Sequence, residues 1–200
     1  MLLVALTGNI ASGKSSVAAA LVRRGATLVD SDAAAREAVA PTTPALAAIV
    51  RQFGATMLLA DGTLDRARMG RLVFGDSAAR QVLEGIVHPA VEAARVAAVS
   101  RAAGAGARIV VCDIPLLFEA RLAWHFPRIV LVDAPEPVRI ARLIEHRALS
   151  PGDAAARVQA QLSAALKRPR ADLLLLNDGT PAELESSVER AWARVRTWAA

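Results

Sequence analysis

The run Gly8-Asn9-Ile10-Ala11-Ser12-Gly13-Lys14-Ser15 matches G-x-x-x-x-G-K-[S/T] without a gap, a pattern built to grip phosphate. Gly8 and Gly13 permit backbone turns that a side chain would block, so successive N–H groups can converge on one anion. A helix opening at Ser15 and Ser16 aims its N-terminal donors and positive dipole end at the same point. Lys14 suits the β- and γ-phosphates of a nucleotide, and the Ser15 hydroxyl suits Mg2+. Twenty-two of the 24 cationic residues are Arg, yet Lys stands where a compact charge is needed. At this chain's own residue frequencies the match arises by chance about once in a thousand chains. Residues Gly8 to Ser16 are therefore the expected nucleotide-binding loop, with ATP and Mg2+ as the expected ligands.

A phosphoryl transfer to a small acceptor needs more: a carboxylate beside the acceptor hydroxyl, cations over the transferring group, and a place for the acceptor. Asp30 and Asp32 follow an apolar run at the end where parallel sheets place ligands. On position alone both are candidates for the hydroxyl, with helix capping as the bland alternative. Asp113 ends another apolar run and on its own reads as a turn acid. From Arg139 to Arg170 there are seven Arg or Lys against two acids, a surplus equal to the whole net charge of +5. Such a segment reads as a solvated face or a phosphate contact before it reads as a nucleic-acid surface. Aromatic residues are only 4% with no Tyr, too few for base stacking along a strand. No nucleic-acid partner is expected.

The elements that must carry these groups alternate short apolar runs with amphipathic stretches, the signature of a parallel α/β sheet. Strands are expected at Leu2–Thr7, Thr27–Asp30, Arg108–Asp113, Arg128–Asp133 and Leu173–Leu176. The first helix is expected over Ser15–Arg24, stopped by Gly25. Thr180-Pro181-Ala182-Glu183 is a capping box that opens a closing helix over Pro181–Trp198. Between Asp32 and Gly106 the pattern is wholly helical and too long for a crossover. In that stretch Pro89 is expected at a first helical position, which would push His88 into extended backbone. A second helical pair over 139–170 splits near Ser150-Pro151-Gly152-Asp153.

The expected fold is one α/β domain: a P-loop-type three-layer core with a parallel five-stranded sheet (1–31, 107–138 and 171–200), a helical acceptor subdomain (32–106) and a helical basic lid (139–170). With 54% hydrophobic residues in 200, the chain can bury a sizeable core. No apolar stretch approaches the ~18 residues of a membrane span. The N-terminus lacks the basic region of a signal peptide, and one cysteine excludes a disulfide framework. A cytoplasmic protein is expected, with no membrane partner, as a monomer or weak homo-oligomer. No N-K-x-D guanine-reading segment is present, and a motor would need more chain. A small-molecule kinase fits best.

The chain resembles the dephospho-CoA kinases. The matching segments are Ala5–Gly8 with Ser12–Ser15, Asp30-Ser31-Asp32 with Arg36, Phe53-Gly54, Asp61–Arg66, His88-Pro89, Pro115–Glu119, Arg142, Arg157-Val158 with Gln161, and Ala171-Asp172 leading to Asn177. The resemblance implies transfer of the ATP γ-phosphate to the ribose 3′-hydroxyl of dephospho-CoA. It implies Asp32, Lys14 and Arg142 as catalytic residues and Ser15 and Asp113 at the metal. It also implies Thr7, Asp32, His88, Pro115, Leu116 and Glu119 on the acceptor side. Two departures stand out. Asn9 and Ala11 occupy loop positions that are commonly glycine in the family. His146 takes the second lid arginine's place, with Arg147 beside it, so either Arg147 substitutes or Arg142 alone carries the charge. On the residues alone the alternatives are a kinase for a nucleoside monophosphate or shikimate, or a non-catalytic nucleotide-binding protein.

Overall fold

A computed structural model describes residues 1–199. The strands are β1 (Leu2–Gly8), β2 (Thr27–Asp30), β3 (Ile109–Asp113), β4 (Arg128–Asp133) and β5 (Leu173–Leu176). They form one sheet in the order β2-β3-β1-β4-β5, with β1 parallel to β3 and β4, and β4 parallel to β5. The continuous apolar character of β1 follows from this central place. Val4 and Leu6 pack on one face, and Ala5 is buried on the other. Helix α1 (Lys14–Arg23) and the last helix, Pro181–Trp198, cover the first face through Val17, Leu21, Val188 and Trp192. Gly25 ends α1 at φ +101, where the Ala26 N–H returns to the Leu21 carbonyl.

The chain divides into two compact units, one of Met1–Val29 with the chain from Ala102 onward, the other Asp30–Arg101. The second holds α2 (Ser31–Ala38), α3 (Pro44–Phe53), α4 (Arg66–Gly75) and most of α5 (Ser77–Gly104). Its core is Val39, Ala45, Ile49, Met57 and Met69, with Leu83, Ile86 and Val87 of α5 packed against it. It is not wholly helical: Leu58 and Leu64 pair in an antiparallel bridge around a turn in which Asp61 accepts from the Thr63 N–H.

The expectation at Pro89 needs correction. Pro89 lies inside the 28-residue α5, so His88 is helical and exposed rather than extended. A proline removes one N–H and crowds the preceding turn. Here the flanking turns of a long helix, anchored by its core contacts, override that local preference.

In the first unit, α6 (Glu136–Arg147) and α7 (Pro151–Gln159) form the second helical pair. Ala148 turns the chain at φ 49, and the Ser150 hydroxyl caps α7 by accepting from the Asp153 N–H. A short α8 (Ala164–Lys167) follows, and α9 (Pro181–Trp198) closes the chain with the capping box in place. The α6–α7 pair packs Leu143, Ala154 and Val158 against Ile10 and Ala11. Residues 139–170 thus belong to the same compact unit as the sheet.

Candidate active site

The turn from β1 into α1 carries the phosphate pattern. Gly8 approaches β4 so closely that a Cβ there would strike the Val132 carbonyl and the Ser12 hydroxyl. Gly13 sits at φ +89, and a Cβ there would strike the Asn177 amide. These contacts are why both positions need glycine. Gly13 is also the N-cap of α1 and supplies no side-chain cap. The amides of Ala11, Gly13, Lys14 and Ser15 have no acceptor among the described residues. Four open donors at a helix start, with the dipole behind them, make an anion site.

Other elements hold the loop's outer side. The Ile10 N–H donates to Gln161 Oε1 (2.7 Å), and Asn9 Nδ2 donates to the Leu162 carbonyl (3.0 Å). Arg142 donates to the carbonyls of Ala11 (3.2 Å) and Asn177 (3.0 Å), and Asn177 Nδ2 donates to the Ser12 carbonyl (2.8 Å). Asn9 is therefore more than a tolerated replacement for glycine; its side chain ties the loop to residue 162. Ala11 takes φ 59, where glycine has the advantage.

At the strand ends, Leu6 is in register with Asp113, and the Lys14 ammonium pairs with the Asp113 carboxylate. Asp113 thus faces the lysine of the loop. Asp133, ending β4, differs. It is 1% exposed and held by the Ala134 N–H (2.8 Å) and by Arg168 (2.6 and 2.8 Å). Burial lowers the pKa of neighbouring Arg139, against the pull of Asp133 and Glu136.

Ser15 is exposed in the first turn of α1. Ser15 and Asp113 offer one hydroxyl and one carboxylate, hard donors that suit Mg2+. No group of three metal-ligating His, Cys, Asp or Glu side chains exists among the described residues.

Asp30 N-caps α2, its carboxylate accepting from the amides of Asp32 (2.8 Å) and Ala33 (3.1 Å). The capping role expected as the alternative for Asp32 thus belongs to Asp30. The Asp32 side chain is exposed, with no hydrogen bond or ion pair among the described residues.

Thr7, expected on the acceptor side, is completely buried, and its hydroxyl donates to the Pro115 carbonyl (3.3 Å). It joins two strand ends and is closed to a ligand. Pro115–Glu119 divides: Leu117 and Phe118 are core, whereas Leu116 is 47% exposed. Glu119 turns its carboxylate to Lys167 (2.7 Å) and to the Leu162 N–H (3.1 Å). His146 and Arg147 are exposed near the end of α6, with His146 3.8 Å from Glu145.

Gln161, Leu162 and Lys167 carry no role in the sequence reading. Lys167 had a signal, being the second of two lysines among 22 arginines.

A family model described as dephospho-CoA kinase matches residues 2–183. The chain belongs to the dephospho-CoA kinase family. It is 46% identical over 192 residues to a dephospho-CoA kinase of Mycolicibacterium paratuberculosis, covering 96% of this chain and 47% of that protein. It therefore spans about half the length of that relative. A Leifsonia xyli dephospho-CoA kinase is 45% identical over 197 residues, covering 98% of this chain and 100% of its own. Among solved structures, a Thermus thermophilus protein superposes with TM-score 0.77 at 34% identity, covering 98% of this chain and 96% of its own. The dephospho-CoA kinase of Campylobacter jejuni superposes with TM-score 0.74 at 22% identity, covering 96% of each chain. Shikimate kinase from Acinetobacter baumannii shares the fold at TM-score 0.51 and 13% identity.

Proposed function

We propose that this chain transfers the γ-phosphate of MgATP to the ribose 3′-hydroxyl of dephospho-CoA, giving coenzyme A and ADP. The donor half of the reading is carried by the four open amides and Lys14 at the start of α1. The acceptor half rests on family membership. In this reading the amides of Ala11, Gly13, Lys14 and Ser15 hold the phosphates, and Lys14 leaves Asp113 for the β- and γ-oxygens. Ser15 and Asp113 would hold Mg2+, which neutralises phosphate charge when bound. The 3′-oxygen forms the new bond to the γ-phosphorus while the bond to the β–γ bridging oxygen breaks. Asp32 takes the hydroxyl proton and releases it to solvent. Its carboxylate is available because Asp30 does the capping.

Arg142, bonded to the loop at the Ala11 carbonyl, is the cation we assign to the transferring group, with Arg147 exposed one residue past His146 as the second lid cation. His88, Leu116 and Pro115 are assigned to the acceptor. We further propose that the protein works in the cytoplasm as a monomer or weak homo-oligomer. Among the described residues no helix is long and apolar enough to cross a membrane.

The test is ADP release from MgATP with dephospho-CoA, adenosine, AMP or shikimate, repeated with Asp32→Asn. Turnover is expected with dephospho-CoA alone. The variant should lose a factor of about 10² to 10⁴ in kcat while keeping its ATP affinity. Turnover with another acceptor overturns the substrate. An active Asp32→Asn overturns the base.

A further inference from the structure

Lys167, the last residue of α8, is completely buried. Its ammonium lies 2.7 Å from Glu119 Oε1, an ion pair without hydrogen-bond alignment. The same oxygen accepts the Leu162 N–H at 3.1 Å. From there the contacts run on to the phosphate loop, through the Leu162 carbonyl to Asn9 Nδ2 (3.0 Å) and through Gln161 Oε1 to the Ile10 N–H (2.7 Å). Between α7 and α8 the Ala160 and Gln161 N–H groups still turn back to the Ala156 and Val158 carbonyls, but the Leu162 N–H has no backbone acceptor. Only the Glu119 carboxylate, reaching in from a distant turn, holds the Leu162 N–H. A buried ammonium is costly and persists where its partner is fixed. Here the fixed partner is the group on which the strap hangs.

We propose that Lys167 and Glu119 are a positioning pair for the phosphate loop. The ammonium locks the Glu119 carboxylate, the carboxylate anchors residues 161–162, and these hold Asn9 and Ile10 so that the neighbouring amides converge on the donor phosphates. The proposal rests on the reading that this loop binds the donor nucleotide. It places Glu119 behind the loop, not on the acceptor. Neither residue touches the reacting atoms.

The test measures ATP affinity by calorimetry, and KM and kcat separately for ATP and the acceptor, in Lys167→Met, Gln161→Ala, Asn9→Ala and the neutral pair Glu119→Gln/Lys167→Met. Lys167→Met is expected to raise Kd and KM for ATP about tenfold, with the acceptor KM changed less than twofold. Gln161→Ala and Asn9→Ala should each reproduce a smaller part of that shift. Combining either with Lys167→Met should add little, because the changes act through one set of contacts. The neutral pair leaves no unpaired buried charge, and the amide oxygen introduced by Glu119→Gln still offers an acceptor to the Leu162 N–H. It should recover most of the ATP affinity lost in Lys167→Met, and it serves as the decisive variant if the single change does not fold. Unchanged ATP affinity in folded Lys167→Met or Gln161→Ala overturns the proposal, as does full additivity. Calorimetry with ATP alone decides this even if dephospho-CoA proves not to be the acceptor, so the two readings fail separately.

Discussion

Ala11 is held at φ 59 between Ile10, which the Gln161 side chain grips, and Ser12, whose carbonyl Asn177 caps. An alanine in this region costs about 1–2 kcal/mol relative to the ordinary helical well. Glycine would relieve that strain while losing part of the gain to its freer unfolded chain. Ala11→Gly is expected to stabilise the protein by about 0.5 kcal/mol, read as a higher denaturation midpoint at unchanged slope. A lower midpoint would mean that the methyl packing against the α6–α7 cluster of Leu143 and Val158 outweighs the strain. This scale also shows where a sequence stops being readable. The glycines, Lys14 and Ser15 are legible because the constraint on each is local, a turn or a charge at a helix start. Asn9 reads as a mere tolerated departure because its partner is 153 residues away. Thr7 reads as a ligand contact because nothing nearby in the chain announces that a neighbouring strand end will cover it.

Elements with their own start and stop chemistry are the ones whose bounds agree. β2, β4, β5 and α9 match residue for residue, and α9 does so because Thr180 and Glu183 cap each other's backbone. The Thr180 N–H and hydroxyl both donate to the Glu183 carboxylate (2.7 and 2.8 Å), which holds its pKa below the usual carboxylate value. A group whose pKa falls on folding stabilises above its unfolded pKa and loses that contribution as pH drops through the folded value. Glu183→Gln should therefore melt lower than the parent at pH 7, and the gap should close as pH falls below the carboxylate range. A gap that is constant with pH would show that the charge is not involved. Pro89 is the opposite case. Its local preference is strong, but α5 is fixed by tertiary packing through Leu83, Ile86 and Val87, so the boundary expected there is absent.

Across the whole molecule, the +5 of residues 139–170 is far less available than its count suggests. Lys167 and Arg139 are buried, Arg168 is bound to Asp133, and Arg142 is engaged with two carbonyls. Arg170, though exposed, lies over the Phe118 ring, which leaves Arg147 and Arg157 exposed and without a partner among the described residues. A labelled single-stranded oligonucleotide is expected to bind more weakly than about 100 μM at about 0.15 M salt, measured by anisotropy. Micromolar binding would show that the segment is a polyanion surface after all. The ties on the loop carry one more consequence. Residues 9–12 are tied to Arg142, Gln161, Leu162 and Asn177, which follow them by 131 to 165 positions. During synthesis this turn emerges long before those partners and stays unfinished until the edge strand β5 and the residue after it have left the ribosome. A nascent chain stopped before residue 177 would display the complete motif and still be unable to hold its nucleotide.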